Sequence, residues 1–125
     1  MKRFALGLGL VALATLTVAC SSGSTSSPTA APSVSADAIV IVAKDLAFQP
    51  TEVAAPADEP FTIVLDNQED LPHNLQIKDA SGAEVFNGQI INKGQVSNAI
   101  PALAAGSYPF LCQVHPDMTG TITAG

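Results

Sequence analysis

Positive charge is scarce in this chain. Lys and Arg total 5 against 11 Asp and Glu, charged residues make up only 13%, and the formal charge is −6. A surface so poor in cations excludes a nucleic-acid binder, which neutralises phosphates with Lys and Arg. Tryptophan is absent and aromatics reach only 5%, while Gly and Pro number 9 each. That mix suits short strands and turns better than a helical bundle, so an all-β fold is expected. With 125 residues there is room for one small domain, which excludes large multi-domain enzymes. Cysteine occurs only at Cys20 and Cys112.

The hydrophobic residues, 47% of the chain, are unevenly placed. Lys2 and Arg3 precede an uncharged run of 16 residues, Phe4 to Ala19, that ends at Cys20. The run is shorter than a confident membrane span and reads as an export signal. Leu16-Thr17-Val18-Ala19-Cys20 resembles a bacterial lipobox, with Thr17 where Leu is usual. The resemblance implies that Cys20 is lipidated and becomes the first residue of the mature chain. Losing Lys2 and Arg3 and no acid leaves three cations against 11 acids, a net −8. Such a surface favours basic partners and disfavours anionic lipid.

Ser21 to Ala36 is almost entirely Ser, Thr, Ala, Pro and Gly. It holds too little apolar surface to offset ordering entropy and reads as a flexible tether with a root-mean-square reach of about 20 to 24 Å. Three parts are therefore expected: 1–19, a lipoprotein signal peptide; 20–36, a lipidated Cys and Ser/Thr/Ala/Pro linker; and 37–125, the folded domain. The chain is expected to be exported and lipid-anchored at the outer face of a bacterial membrane, on the cell surface or the periplasmic side.

Strand signals in the domain fall at Ile39–Ala43, Glu52–Ala55, Phe61–Leu65, Asn74–Lys78, Ala83–Phe86, Gln95–Ile100, Tyr108–Cys112 and Gly120–Thr123. Pro and Gly punctuation between them leaves no room for a long helix, although Ala102–Ala105 could form one helical turn. Eighty-nine residues with this spacing suit a small Greek-key β-sandwich.

Strand parity places the chemistry. If Leu75 and Ile77 face the core, the period of two puts His73 on their side, and inward Tyr108 and Phe110 carry Cys112 with them. His115 and Met118 follow at i+3 and i+6 from Cys112, and Pro116 between them prevents a regular helix, so a tight loop can turn all three to one point. These four residues exhaust the His, Met and Cys of the mature chain apart from Cys20. Two imidazoles, one thiolate and a weak axial thioether are the ligands of a blue-copper electron-transfer site. Zinc fits less well, because a thioether serves it poorly and structural zinc sites carry more thiolates. A Cys/His nucleophilic dyad is weaker still, since no third orienting group is evident and an inward Cys112 is poorly exposed.

Asn67 followed six residues later by His73-Asn74, then Tyr108-x-Phe110-x-Cys112 and a Cys-x-x-His-x-x-Met loop backed by Gly120, resembles the cupredoxins of the plastocyanin and amicyanin kind. The short ligand loop with Pro116 directly after the second His is most similar to amicyanin, from which Gln113, Val114 and Asp117 depart. The resemblance implies one type 1 copper ion on His73, Cys112, His115 and axial Met118, with Asn74 bracing the site near the Cys sulfur. It implies a carrier of single electrons rather than an enzyme. Electrons would pass at His115, with Leu71, Pro72, Pro116 and Pro109 around it as a docking patch. Glu69, Asp70 and Asp117 would form an acidic rim steering a basic redox partner. Such partners are redox proteins, for example a c-type cytochrome or a copper oxidase or reductase. The same ligands would serve an extracytoplasmic copper chaperone or store, and that alternative stays open.

Overall fold

The computed structural model describes residues 37–125. The expected signal peptide 1–19, Cys20 and the linker to residue 36 lie outside the described residues. Nine strands form two sheets, and no helix occurs among the described residues. One sheet has the order β2-β1-β4-β7, from β1 (Ile39–Lys44), β2 (Ala47–Gln49), β4 (Phe61–Asn67) and β7 (Gly94–Ile100). The other has the order β3-β9-β8-β5-β6, from β3 (Glu52–Ala55), β5 (Gln76–Lys78), β6 (Glu84–Asn87), β8 (Gly106–Leu111) and β9 (Thr119–Ala124). The described residues form an all-β sandwich, as composition and punctuation suggest.

The core lies between the sheets because alternate residues of each strand point there. Ile41, Ala43, Phe48, Ile63, Leu65 and Ile100 come from one sheet, and Val53, Leu75, Ile77, Phe110 and Ile122 from the other side. Phe48 and Phe110 meet across the interface with ring centroids 5.4 Å apart and planes tilted by 57°. That geometry suits the ring quadrupoles better than face-to-face stacking.

Two expectations need correction. Ala102–Ala105 form no helical turn. Their backbone groups are engaged elsewhere: the Leu103 carbonyl accepts from the Asp58 amide at 2.7 Å, and the Ala104 carbonyl accepts from the Tyr108 hydroxyl at 3.0 Å. Leu103, 5% exposed, anchors the segment to the core in an open conformation. The second correction is β2, a three-residue strand that the sequence reading passed over because neither Gly nor Pro marks the two-residue connection before it.

The strands share a polarity that defines two poles. β1 and β4 run parallel, Ile39 opposite Ile63 and Ala43 opposite Asn67. β8 runs from Gly106, opposite Ala124, to Leu111, opposite Thr119. β4 and β8 therefore deliver Asn67 and Cys112 to one pole, while Asp37 and Gly125 lie toward the other.

Gly120 is sterically required in this arrangement. A Cβ there would collide with Phe110 Cζ and stand 2.6 Å from the Thr51 carbonyl oxygen, and backbone cannot rotate aside. Gly120→Ala is expected to destabilise the domain by about 1 to 3 kcal/mol through overpacking, measured by urea unfolding of the metal-free protein. An unchanged midpoint would show that Phe110 and Thr51 yield at no cost.

Candidate metal centre

His73 sits in the loop after β4, and that loop is fixed by Asn67 at the end of the strand. The Asn67 side-chain amide donates to the carbonyls of Leu71 (2.7 Å) and Ile91 (3.0 Å), and its oxygen accepts from the Glu69 amide (2.9 Å). On the far side, His73 and Ile91 exchange both backbone hydrogen bonds at 2.9 Å. The result is a fully buried imidazole on a segment held at both edges.

The second segment closes on itself. The Met118 amide donates to the His115 carbonyl (2.9 Å), and the Cys112 amide donates to the Met118 carbonyl (3.0 Å). Pro116 at the bend lacks the amide that would continue a helix. Cys112 and Met118 are thereby turned inward, 0% and 2% exposed, and His115 keeps a partly exposed ring.

The two segments converge. Cys112 Sγ lies 3.7 Å from His73 Nδ1 and 3.9 Å from His115 Nδ1, and the three atoms all lie within 4.8 Å of one another. Ligands about 2.0 to 2.3 Å from a shared ion stand about 3.5 to 4 Å apart at open angles, so these sulfur-to-nitrogen separations fit one metal. Both nitrogens are Nδ1, and the imidazole centroids are 4.8 Å apart with planes tilted by 50°. Cys112 is a free thiol, consistent with a ligand rather than a structural crosslink. One soft thiolate between two imidazoles, with a thioether on the same closed loop, is a donor set suited to copper.

Asn74 ties the halves together. Its side-chain oxygen accepts from the Gln113 amide (2.8 Å) and lies 3.8 Å from Cys112 Sγ. Its side-chain nitrogen donates to Asn87 Oδ1 (2.9 Å) and the Gly88 carbonyl (3.2 Å). The Gln113 bond decides which way the amide points, because only the oxygen can accept from a backbone N–H.

Glu69 was expected on an acidic rim, and the structure turns it inward. Its Oε2 lies 2.8 Å from His73 Nε2, with the carboxylate 18% exposed. Burial pushes its carboxyl up, but hydrogen bonds from His73 and from the Leu46 and Asp45 amides outweigh this and hold it below the ordinary carboxylate range. A carboxylate on Nε2–H leaves Nδ1 as the free lone pair. The sequence carried only a faint signal for this, an acid four residues before a His in a loop. Of the other rim members, Asp70 is 90% exposed and stands 3.8 Å from Lys93, and Asp117 is exposed in the ligand loop.

Between these acids the pole exposes apolar side chains. Leu71, Ile90 and Val114 are exposed large hydrophobic side chains, and Leu46 lies beside Glu69 at the same end. Pro72 is half-buried and Pro116 exposed. Pro109 lies back along β8, opposite Thr121, rather than in the ligand loop. Ile90 and Leu46 escaped the sequence reading because nothing in their local pattern says that the chain folds them toward His73.

A family model for the cupredoxin-like domain matches residues 9–124. Amicyanin from Paracoccus versutus is 36% identical over 96 residues, which is 76% of this chain and 70% of that protein. The crystal structure of that amicyanin superposes with a TM-score of 0.60 at 32% identity, covering 74% of this chain and 85% of the other. Reduced auracyanin from Roseiflexus castenholzii matches with a TM-score of 0.61 at 20% identity, covering 70% and 96%, and shares the fold.

Proposed function

The chain belongs to the cupredoxin-like family, and from that premise we propose that it carries single electrons on one type 1 copper ion held by His73, Cys112, His115 and Met118. It is a carrier rather than an enzyme. The observation that carries the assignment is the convergence of Cys112 Sγ with two imidazole Nδ1 atoms at 3.7 and 3.9 Å. Bound there, copper supplies one-electron chemistry between Cu(I) and Cu(II).

The chain's own residues supply the rest. The loop bonds from Cys112 to Met118 and from Met118 to His115 keep the donors in place irrespective of oxidation state, which limits reorganisation. Cys112 is shut off from water, so its sulfur is protected from oxidation and exchange. His115 alone among the three converging ligands reaches the surface, and it provides the route for the electron. Leu71, Pro72, Val114 and Pro116 surround it with a face that sheds water on docking. Asp70 and Asp117 at its margin favour a basic redox protein, of which a c-type cytochrome or a copper oxidase or reductase are examples.

The domain enters from Asp37, at the pole opposite the ligands. An anchor on Cys20 would therefore leave the docking face clear, which supports a lipid-tethered carrier outside a bacterial membrane.

Titrating the metal-free chain from Ser21 onward with Cu(II) is expected to produce an intense blue thiolate-to-copper band that Cys112→Ser abolishes. A pale complex would turn the reading to copper delivery. Changing Asp70 and Asp117 together to Lys is expected to slow electron transfer to a basic c-type cytochrome several-fold at low ionic strength, roughly the effect of rim charges on association. The gap should close as salt screens it; an unchanged low-salt rate would remove steering from the account. In a bacterial host, Cys20→Ser is expected to move the protein from the membrane fraction to the soluble fraction. Retention with the membranes would point to an uncleaved anchor.

A further inference from the structure

The connection from β1 to β2 is Asp45-Leu46, and both residues are left-handed, with φ of 54° and 55°. Two-residue hairpin turns of this kind are normally filled by Asn-Gly or Asp-Gly, because a side chain at the second position crowds the backbone. Leu46 holds that position although its side chain is exposed, so packing does not account for it. Strained backbone of this sort persists where surrounding contacts over-determine it, and such contacts cluster at functional sites.

Those contacts run directly to the candidate metal centre. The Leu46 amide is 3.4 Å from Glu69 Oε2. Successive left-handed residues aim their N–H groups into one concavity, which favours an anion. Glu69 Oε2 in turn accepts from His73 Nε2 at 2.8 Å, and the opposite ring nitrogen, Nδ1, faces Cys112 Sγ at 3.7 Å. The backbone reinforces this arrangement, because the Gln68 amide donates to the Ala43 carbonyl at 3.0 Å and lays the Glu69 segment against the end of β1.

We propose that the Asp45-Leu46 turn is a positioning element for His73: the Leu46 amide fixes the Glu69 carboxylate, and Glu69 fixes the orientation of the imidazole so that Nδ1 points at Cys112. The turn acts on His73 through Glu69. The proposal rests on His73 being a copper ligand, but the arrangement itself exists without metal.

The test therefore begins on the metal-free protein. In nitrogen-15 NMR spectra the His73 Nε2–H proton is expected to be visible and protected from solvent exchange, and the Leu46 amide likewise. Inserting two glycines between Asp45 and Leu46 displaces the amides, and a loop that short adds little closure entropy. That insertion and Glu69→Gln are each expected to speed Nε2–H exchange about tenfold, the loss of roughly one charge-assisted hydrogen bond. In the copper-loaded protein both changes should raise the reduction potential, because an imidazole that has lost its carboxylate partner donates less electron density to Cu(II). Leu46→Gly keeps both amides and the left-handed conformation, and it should match the unmodified protein in exchange and potential. An insertion variant that folds with unchanged exchange and potential overturns the proposal. Should the insertion fail to fold, an unprotected Leu46 amide in the unmodified protein overturns it equally. The exchange readouts need no metal, so an absent blue band would count against the copper reading while leaving the turn's hold on His73 to be judged on its own.

Discussion

Two residue pairs, Gln76 with Leu111 and Ile77 with Phe110, make up the ladder between β5 and β8, and the geometry of the candidate metal centre depends on them. Continuing the same antiparallel register sets Leu75 against Cys112 and Asn74 against Gln113. The bond from the Gln113 amide to Asn74 Oδ1 at 2.8 Å extends the pairing by a side chain where backbone pairing stops. His73 is thereby carried to within 3.7 Å of Cys112 although 39 positions separate them in sequence. A slip of one residue would invert every side chain of β5 and aim Ile77 at solvent. Ile77 and Phe110 are both fully buried, so the core that forms between the sheets enforces the register that the chemistry requires.

Rigidity at this pole comes from hydrogen bonds that each do more than one thing. Asn67 joins β4 to Leu71, Glu69 and Ile91, and Asn74 joins the ligand loop to Asn87 and Gly88. Both asparagines are almost wholly buried, where an unpartnered amide would be costly, so alternative arrangements that break these bonds are disfavoured. A donor set preformed in this way loses little conformational entropy when it takes up a metal and changes little with the metal's charge. That is the property a one-electron carrier needs, and it follows from amide bonding rather than from the ligands themselves.

The sequence disclosed the parts of the site that depend on residue type and short spacing. His73, Cys112, His115 and Met118 stand out because soft side chains are otherwise missing from the domain, and strand alternation put His73 and Cys112 on sides from which they could converge, as His73, Cys112 and His115 do in the structure. Strand positions were legible where apolar alternation ran for four residues or more, as in β4 and β7. What escaped depends on tertiary placement. The direction of the Glu69 side chain is decided by Leu46 and His73, one of them 23 residues away, so charge alone suggested a surface role. The β1–β2 turn was invisible because its left-handed residues are Asp and Leu, with no glycine to announce it. Ile90 belongs to the metal pole only because Ile91 pairs with His73.

The parallel pairing of β1 with β4 has a consequence for where the chain enters the domain. Four residues separate Ile39, opposite Ile63, from Ala43, opposite Asn67, so the chain crosses about 13 Å of sheet between entering the domain and reaching the level of the site. An antiparallel first strand would instead have brought the N-terminal segment in beside Asn67 and His73, where a tether would compete with any partner for the apolar face around His115. Parallel pairing needs a long connection, and residues 45–60, with β2 and β3, supply it. The same connection carries the Asp45-Leu46 turn to Glu69. The crossover that sets the N-terminal entry apart from the pole of His73 is thus also the segment that reaches back to hold His73.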